Sequence, residues 1–141
     1  MKILIDADGC PVTKIALSLA KEREIPVVIV CDTAHEFNDS YAEIVVVDKG
    51  ADSADFKLVN LANSGDVVIT QDYGLAAMCL SKCANVLNQN GLVYTSDNID
   101  SLLLSRHTAK KIRNSGGRLK GPSKRTKQQD EDFKKALLKF L

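Results

Sequence analysis

Four short apolar runs decide what this chain can become: Ile3-Leu4-Ile5, Val27-Val28-Ile29-Val30-Cys31, Ile44-Val45-Val46-Val47 and Val67-Val68-Ile69-Thr70. None alternates polar with apolar residues. Each therefore reads as a strand buried on both faces, as in a parallel sheet covered by helices. The segments between them carry helical periodicity. Val12, Ile15, Ala16, Leu19 and Ala20 share one face of a helix over Pro11–Arg23. A second helix begins near Asp52 or Ser53, carries Phe56, Val59, Leu61 and Ala62, and stops near Ser64-Gly65. A third runs from about Tyr73 to Lys82.

Asn85-Val86-Leu87 reads as a fifth strand, which Gly91–Thr95 either extends or flanks with a small edge strand. Asp97 is the expected cap of a helix from Ile99 to about Asn114. A last amphipathic helix, about Asp130 to Leu141, carries Phe133, Leu137, Leu138 and Phe140. This alternation predicts a three-layer α/β/α fold with a mostly parallel central sheet, in one domain over residues 1–141.

The strands end in carboxylates. The first leads into Asp6-Ala7-Asp8-Gly9-Cys10-Pro11, the third into Asp48 and the fourth into Gln71-Asp72. Working residues of open α/β sheets gather where strands end and loops leave the sheet. Carboxylates crowded there repel one another unless a cation offsets the charge. Right-handed crossovers put the exits of the first and fourth strands, with Asp6, Asp8 and Asp72, on one edge. The helix near Asp52 and Asp55 starts on that edge too.

Capping offers a simpler account of some of these acids. Asp8 suits the cap of the helix that begins near Pro11, and Asp52 or Ser53 that of the second helix. Capping and the helix dipole do not cover all of Asp48, Asp52 and Asp55. Three or more converging acids would make an all-oxygen site of the Mg²⁺ or Mn²⁺ kind. His35 and His107 lie away from these positions, which speaks against a His-based zinc site.

The formal charge of +1 conceals a separation. Residues 1–105 carry 7 Lys/Arg and 15 Asp/Glu, whereas residues 106–127 carry 9 Lys/Arg and no acid. An acidic body with one basic segment suits a cation-assisted site whose substrate is a polyanion. Within that segment, Gly116-Gly117-Arg118-Leu119-Lys120-Gly121-Pro122 precedes Ser123-Lys124-Arg125. Glycines interspersed with cations offer backbone N–H groups and charge to phosphate oxygens together. No aromatic residue interleaves with the cations, so backbone contact is expected rather than base stacking. The apolar face of the last helix implies that it folds back, making the basic segment a tethered loop.

The cysteines, Cys10, Cys31, Cys79 and Cys83, show no zinc-like spacing and read as free thiols in a reducing compartment. The first residues form a strand rather than a signal peptide, and no apolar run approaches membrane-spanning length. A cytoplasmic location and no membrane association are expected.

Four ordered motifs carry a resemblance: Asp6-Ala7-Asp8-Gly9-Cys10-Pro11-Val12, Gly50-Ala51-Asp52-Ser53-Ala54-Asp55, Thr70-Gln71-Asp72 with Leu75-Ala76, and Gly116-Gly117-Arg118 with Gly121-Pro122. Together they closely resemble the YaiI/YqxD family of bacterial proteins over nearly the whole chain. That family is similar to PIN domains, α/β/α nucleases whose acids bind Mg²⁺ or Mn²⁺ and cleave RNA. The similarity implies that Asp6 and Asp72 match PIN acids, with either Asp52 or Asp55 as the middle one. It implies that Thr70 orients neighbouring carboxylates or waters. Asp8 and the Gly116–Pro122 motif belong to YaiI/YqxD rather than to PIN nucleases generally, so the substrate need not be shared.

Three functions are compatible with these residues. The first is a Mg²⁺- or Mn²⁺-dependent phosphodiesterase acting on RNA in preference to DNA. Asp6, Asp8, Asp52, Asp55, Thr70 and Asp72 form its site, and Arg118, Lys120, Lys124 and Arg125 hold the nucleic-acid backbone. The second is an aspartyl phosphatase of the haloacid-dehalogenase kind, with Asp6-Ala7-Asp8-Gly9 as its opening motif and Thr70 as its second. That chemistry needs a late acidic pair, for which Asp97 and Asp100 are the available residues. The third is a nucleic-acid-binding protein of the same fold that cuts nothing, since cations alone supply sequence-independent affinity.

Overall fold

The computed structural model describes residues 1–32, 39–48, 53–105 and 124–141. Its elements run β1 (Ile3–Asp6), α1 (Thr13–Glu22), β2 (Val27–Asp32), β3 (Glu43–Val47), α2 (Ser53–Leu61), β4 (Val67–Ile69), α3 (Tyr73–Ser81), β5 (Asn85–Leu87) and β6 (Val93–Tyr94). Helical residues 99–105 (α4) and the closing helix α5 (Lys127–Leu138) follow. The six strands form one sheet in the order β3-β2-β1-β4-β5-β6. All neighbours are parallel except β5 and β6, whose antiparallel pairing makes Val93–Tyr94 the small edge strand.

Strand alternation sorts the apolar runs between two cores. Ile3, Ile5, Val27, Ile29, Val67 and Ile69 face one side, where Ala16, Leu17 and Ala20 of α1 and Phe133 and Leu137 of α5 cover them. Leu4, Val28, Val30, Val68 and Val86 face the other, against Leu58 of α2, Leu75, Ala76 and Cys79 of α3, and Ile99 of α4. Both faces of β1, β2 and β4 are thus buried, which is why those runs show no polar alternation. The Ile44–Val47 run differs from expectation: β3 lies at the sheet edge, and Val46 is 55% exposed. The result is the expected three-layer α/β/α arrangement.

The chain is docked on both sides of residues 106–123. Phe133 and Leu137 have no exposed surface, and burying side chains of that size contributes about 1.5–3 kcal/mol each. The helix α5 also passes close over the β5–β6 turn. A Cβ on Gly91 would stand 2.6 Å from the Asp132 carbonyl oxygen, and Gly91 has φ of +85°. Glycine alone meets both demands without strain.

The starts of α1, α4 and α5 differ from expectation in position or cap, and α1 begins at Thr13 rather than near Pro11. The helix α5 begins at Lys127, ahead of Asp130, because Thr126 and Gln129 form a reciprocal capping box. Thr95, and not Asp97, closes the start of α4. The Asn98 side chain accepts from the Thr95 N–H at 2.9 Å, and Thr95 Oγ1 accepts from the Asn98 N–H at 3.3 Å. At the amino edge of the sheet, Asp66 is buried and takes the Lys2 ammonium at 2.6 Å, together with the N–H groups of Lys2 and Asn63.

Candidate functional site

The strand order reverses between β1 and β4: β2 and β3 lie to one side, β5 and β6 to the other. At such a switch point the connecting helices leave on opposite faces and open a crevice beyond the carboxyl ends of the strands. Register puts Ile5 beside Ile69, so the next residues out, Asp6 and Thr70, are neighbours at the mouth of that crevice.

Thr70 ties the two exits together. Its hydroxyl donates to Asp6 Oδ2 at 2.8 Å and accepts from the Asp72 backbone N–H at 3.0 Å. Its own N–H donates to the Leu87 carbonyl at 3.1 Å, and its carbonyl accepts from the Tyr94 hydroxyl at 3.3 Å. Thr70 is 1% exposed, and a buried polar residue needs such partners to offset lost hydration. Burial pushes the Tyr94 hydroxyl above its ordinary range, with smaller contributions from Tyr73 and Asp72, so it stays a protonated donor. The Tyr73 and Tyr94 rings meet edge to face at 5.9 Å.

Asp72 is also the cap of α3. Its Oδ1 accepts from the N–H groups of Gly74 at 2.8 Å and Leu75 at 3.2 Å. A second tie joins the same loops, since Gln71 Nε2 donates to the Gly9 carbonyl at 2.8 Å.

Asp8 does not cap α1. That helix starts at Thr13 after Val12, with no side-chain cap bond. Instead Asp8 Oδ1 accepts, at 3.4 Å, from the backbone N–H of Asp32 at the end of β2. Burial raises the pKa of the neighbouring Cys31 thiol, and the charges of Asp8 and Asp32 raise it further. Asp32 is therefore a further carboxylate of this edge, because β2 runs one residue beyond the apolar run that ends at Cys31. Gln71 and Tyr94 join the site as well. Nothing local in the sequence pairs Gln71 with Gly9 or Tyr94 with Thr70.

The remaining candidates separate. Asp48 is exposed and lines an open groove of about 660 Å³ with Val45, Phe56, Lys57 and Asn60. Two strand spacings, about 10 Å, lie between β3 and β1, so Asp48 does not join the crevice. Asp52, Arg118, Lys120, His35 and His107 lie outside the described residues, as does the side chain of Asp55 in the first turn of α2. Among the described residues no group of three or more His, Cys, Asp or Glu is arranged to hold a metal ion.

Lys124 is exposed. Arg125 is engaged within the chain: its guanidinium reaches Asp130 Oδ1 at 2.7 Å, Asn90 Oδ1 at 2.7 Å and the Gln89 carbonyl at 2.6 Å. It clasps the start of α5 to the β5–β6 turn, which engages all three of its nitrogens within the chain.

Residues 4–141 match the family described as "Uncharacterized BCR, YaiI/YqxD family". The chain belongs to the YaiI/YqxD family. A UPF0178 protein of Ruminiclostridium cellulolyticum is 55% identical over 141 residues, covering 100% of this chain and 92% of the relative. The UPF0178 protein of Clostridium acetobutylicum is 48% identical over 143 residues, covering 100% and 97%. That of Enterococcus faecalis is 47% identical over 144 residues, covering 100% and 97%. No solved structure matches. The YaiI/YqxD match spans both strand exits and the basic segment. Among the described residues no helix is long and apolar enough to cross a membrane.

Proposed function

We propose that this YaiI/YqxD chain is a cytoplasmic phosphodiesterase that depends on Mg²⁺ or Mn²⁺ and acts on RNA. The observation that carries it is the Thr70 junction, where one buried hydroxyl serves Asp6 and the loop of Asp72 at the switch point. A carboxylate held by a hydroxyl at a strand exit is oriented before any ligand arrives, which is what a supporting residue does for a cation ligand.

The oxygen-only chemistry of these acidic side chains is of the kind a hard divalent cation takes, and among the described residues they do not by themselves form a group of three arranged around one. Asp6, Asp8 and Asp72 offer oxygen alone, and Asp52 or Asp55 would complete the set. A bound cation supplies charge neutralisation at a phosphoryl group and activation of water. The chain's own residues hold the geometry around it: Thr70 fixes Asp6, Gln71 braces the Asp8-Gly9 turn, and Asp72 is aimed by the α3 N-terminus. Lys124, with Arg118 and Lys120 of the basic segment, would hold the nucleic-acid backbone electrostatically.

The aspartyl-phosphatase alternative has less support. Its late acids, Asp97 and Asp100, follow β6, and that strand runs antiparallel to β5, away from the edge of Asp6. The deciding experiment incubates labelled single-stranded RNA and DNA with wild type, Asp6→Asn and Asp72→Asn, in Mn²⁺, in Mg²⁺ and in chelator. Cation-dependent cleavage of RNA by wild type alone is the expected result. RNA binding without cleavage under every condition would leave a non-catalytic binding protein, and a trapped phosphoryl group on Asp6 would leave the phosphatase.

A further inference from the structure

We propose that Tyr94 is a positioning residue for the acidic crevice, acting on Asp6 and Asp72 through Thr70. This rests on the cation-site reading above and extends it to a residue on the far edge strand of the sheet.

The geometry that carries it is a relay of hydrogen bonds. Thr70 is the first residue beyond β4, where the strand ladder ends at Ile69 and Leu87. Its carbonyl lies beyond the last paired residues of the two strands. The Tyr94 hydroxyl reaches over β5 from β6 and donates to that carbonyl at 3.3 Å. The hydroxyl of the same Thr70 donates to Asp6 and accepts from the Asp72 N–H. Thr70 is thus pinned from behind by Tyr94 and presents its side chain forward to both acid-bearing loops.

The ring of Tyr94 cannot drift. It is 2% exposed and meets Tyr73, the first residue of α3, edge to face. Tyr73 follows Asp72 directly, so the same ring also contacts the residue next to the second acid. A tyrosine placed only to fill the core would need no hydroxyl. Here the hydroxyl donates to the main-chain carbonyl of the residue whose side chain joins the two acid-bearing loops.

The test is a double-mutant cycle read as Mn²⁺ affinity by calorimetry. Tyr94→Phe removes the hydroxyl and keeps the ring and its contact with Tyr73. The expected loss is about tenfold in Mn²⁺ affinity, the lower end for a supporting hydrogen bond behind a ligand. In a Thr70→Val background, where the bond to Asp6 is already cut, Tyr94→Phe should produce no further loss. Asp66→Asn serves as the control: it weakens the opposite edge of the sheet, lowering the unfolding midpoint while Mn²⁺ affinity stays unchanged.

Wild type that binds Mn²⁺ with Tyr94→Phe unchanged within about twofold would overturn the role of Tyr94 and leave the cation site standing. An equal loss in both Thr70 backgrounds would also overturn it, because the effect would not run through Thr70. Wild type that takes up no Mn²⁺ would remove the cation site itself, and the role of Tyr94 with it.

Discussion

The Thr70 hydroxyl lies 2.8 Å from Asp6 Oδ2, 64 positions away in sequence, and this bond joins the two strand exits at which the sheet changes direction. It makes the β1 and β4 loops one unit. Gln71 repeats the connection one residue on, at the Gly9 carbonyl. Acids that the sequence places only on one edge of the sheet are therefore held in a fixed relation by the fold.

Thr70 should be the most sensitive polar position of the crevice. Thr70→Val keeps the shape and loses the hydroxyl, leaving a half-buried carboxylate and the Asp72 N–H without it. A cost of about 1.5–3 kcal/mol is expected in urea unfolding, the range for a bond to a charged group. Thr70→Ser, which keeps the oxygen, should recover most of that loss.

Asp72 has two separable duties. As the α3 cap it accepts two N–H bonds, and Asp72→Ala should cost about 0.5–2 kcal/mol. Asn caps about as well as Asp, so Asp72→Asn should retain the unfolding midpoint while abolishing Mn²⁺ uptake. Parallel losses of stability and uptake in Asp72→Asn would mean that capping is its whole role.

Arg125 and Lys124 should behave oppositely although adjacent. Arg125→Ala strands Asp130, Asn90 and the Gln89 carbonyl, and should lower stability by about 1–3 kcal/mol. Arg125→Lys should not restore it, since an ammonium lacks the planar fork. Lys124→Ala should leave stability unchanged and, in RNA-binding titrations, reduce the dependence of affinity on salt.

Acid sensitivity should trace in part to the other edge of the sheet. Burial pushes the Asp66 carboxyl up, but the Lys2 ammonium and the N–H bonds from Asn63 and Lys2 outweigh it and hold the pKa below its ordinary value. A carboxyl depressed in the folded state stabilises fully above its unfolded pKa, and that stability is lost as pH falls through the folded value. Urea unfolding from neutral pH downward should therefore show wild type losing stability more steeply than Asp66→Asn once pH drops below the ordinary carboxylate range.

Layering and sheet direction were legible in the sequence because they follow from periodicity. Unbroken apolar runs such as Val27–Cys31 demand cover on both faces, and helical spacing such as Ala16 and Ala20 supplies it. Helix starts were less legible where two caps competed. Thr126-x-x-Gln129 and Thr95-x-x-Asn98 are readable as reciprocal caps, yet Asp97 is also a favoured cap type and the apolar stripe of α5 begins only at Phe133. At the site, strand-end acids were visible one by one. Three things depend on which strands are neighbours: the Thr70–Asp6 bond, the approach of Asp32 to Asp8, and the separation of Asp48 by an intervening strand. Strand order is a tertiary outcome that no local pattern encodes. Arg125 misled for a related reason, since its charge is local but its partners on the β5–β6 turn are not.

Mn²⁺ calorimetry on wild type beside Asp6→Asn and Asp72→Asn, with the fold of each checked by circular dichroism, tests the acidic crevice most directly. Saturable uptake by wild type, lost in both folded variants, is the predicted result. Absence of uptake by wild type even with a short RNA present, or undiminished uptake by both variants, would contradict it.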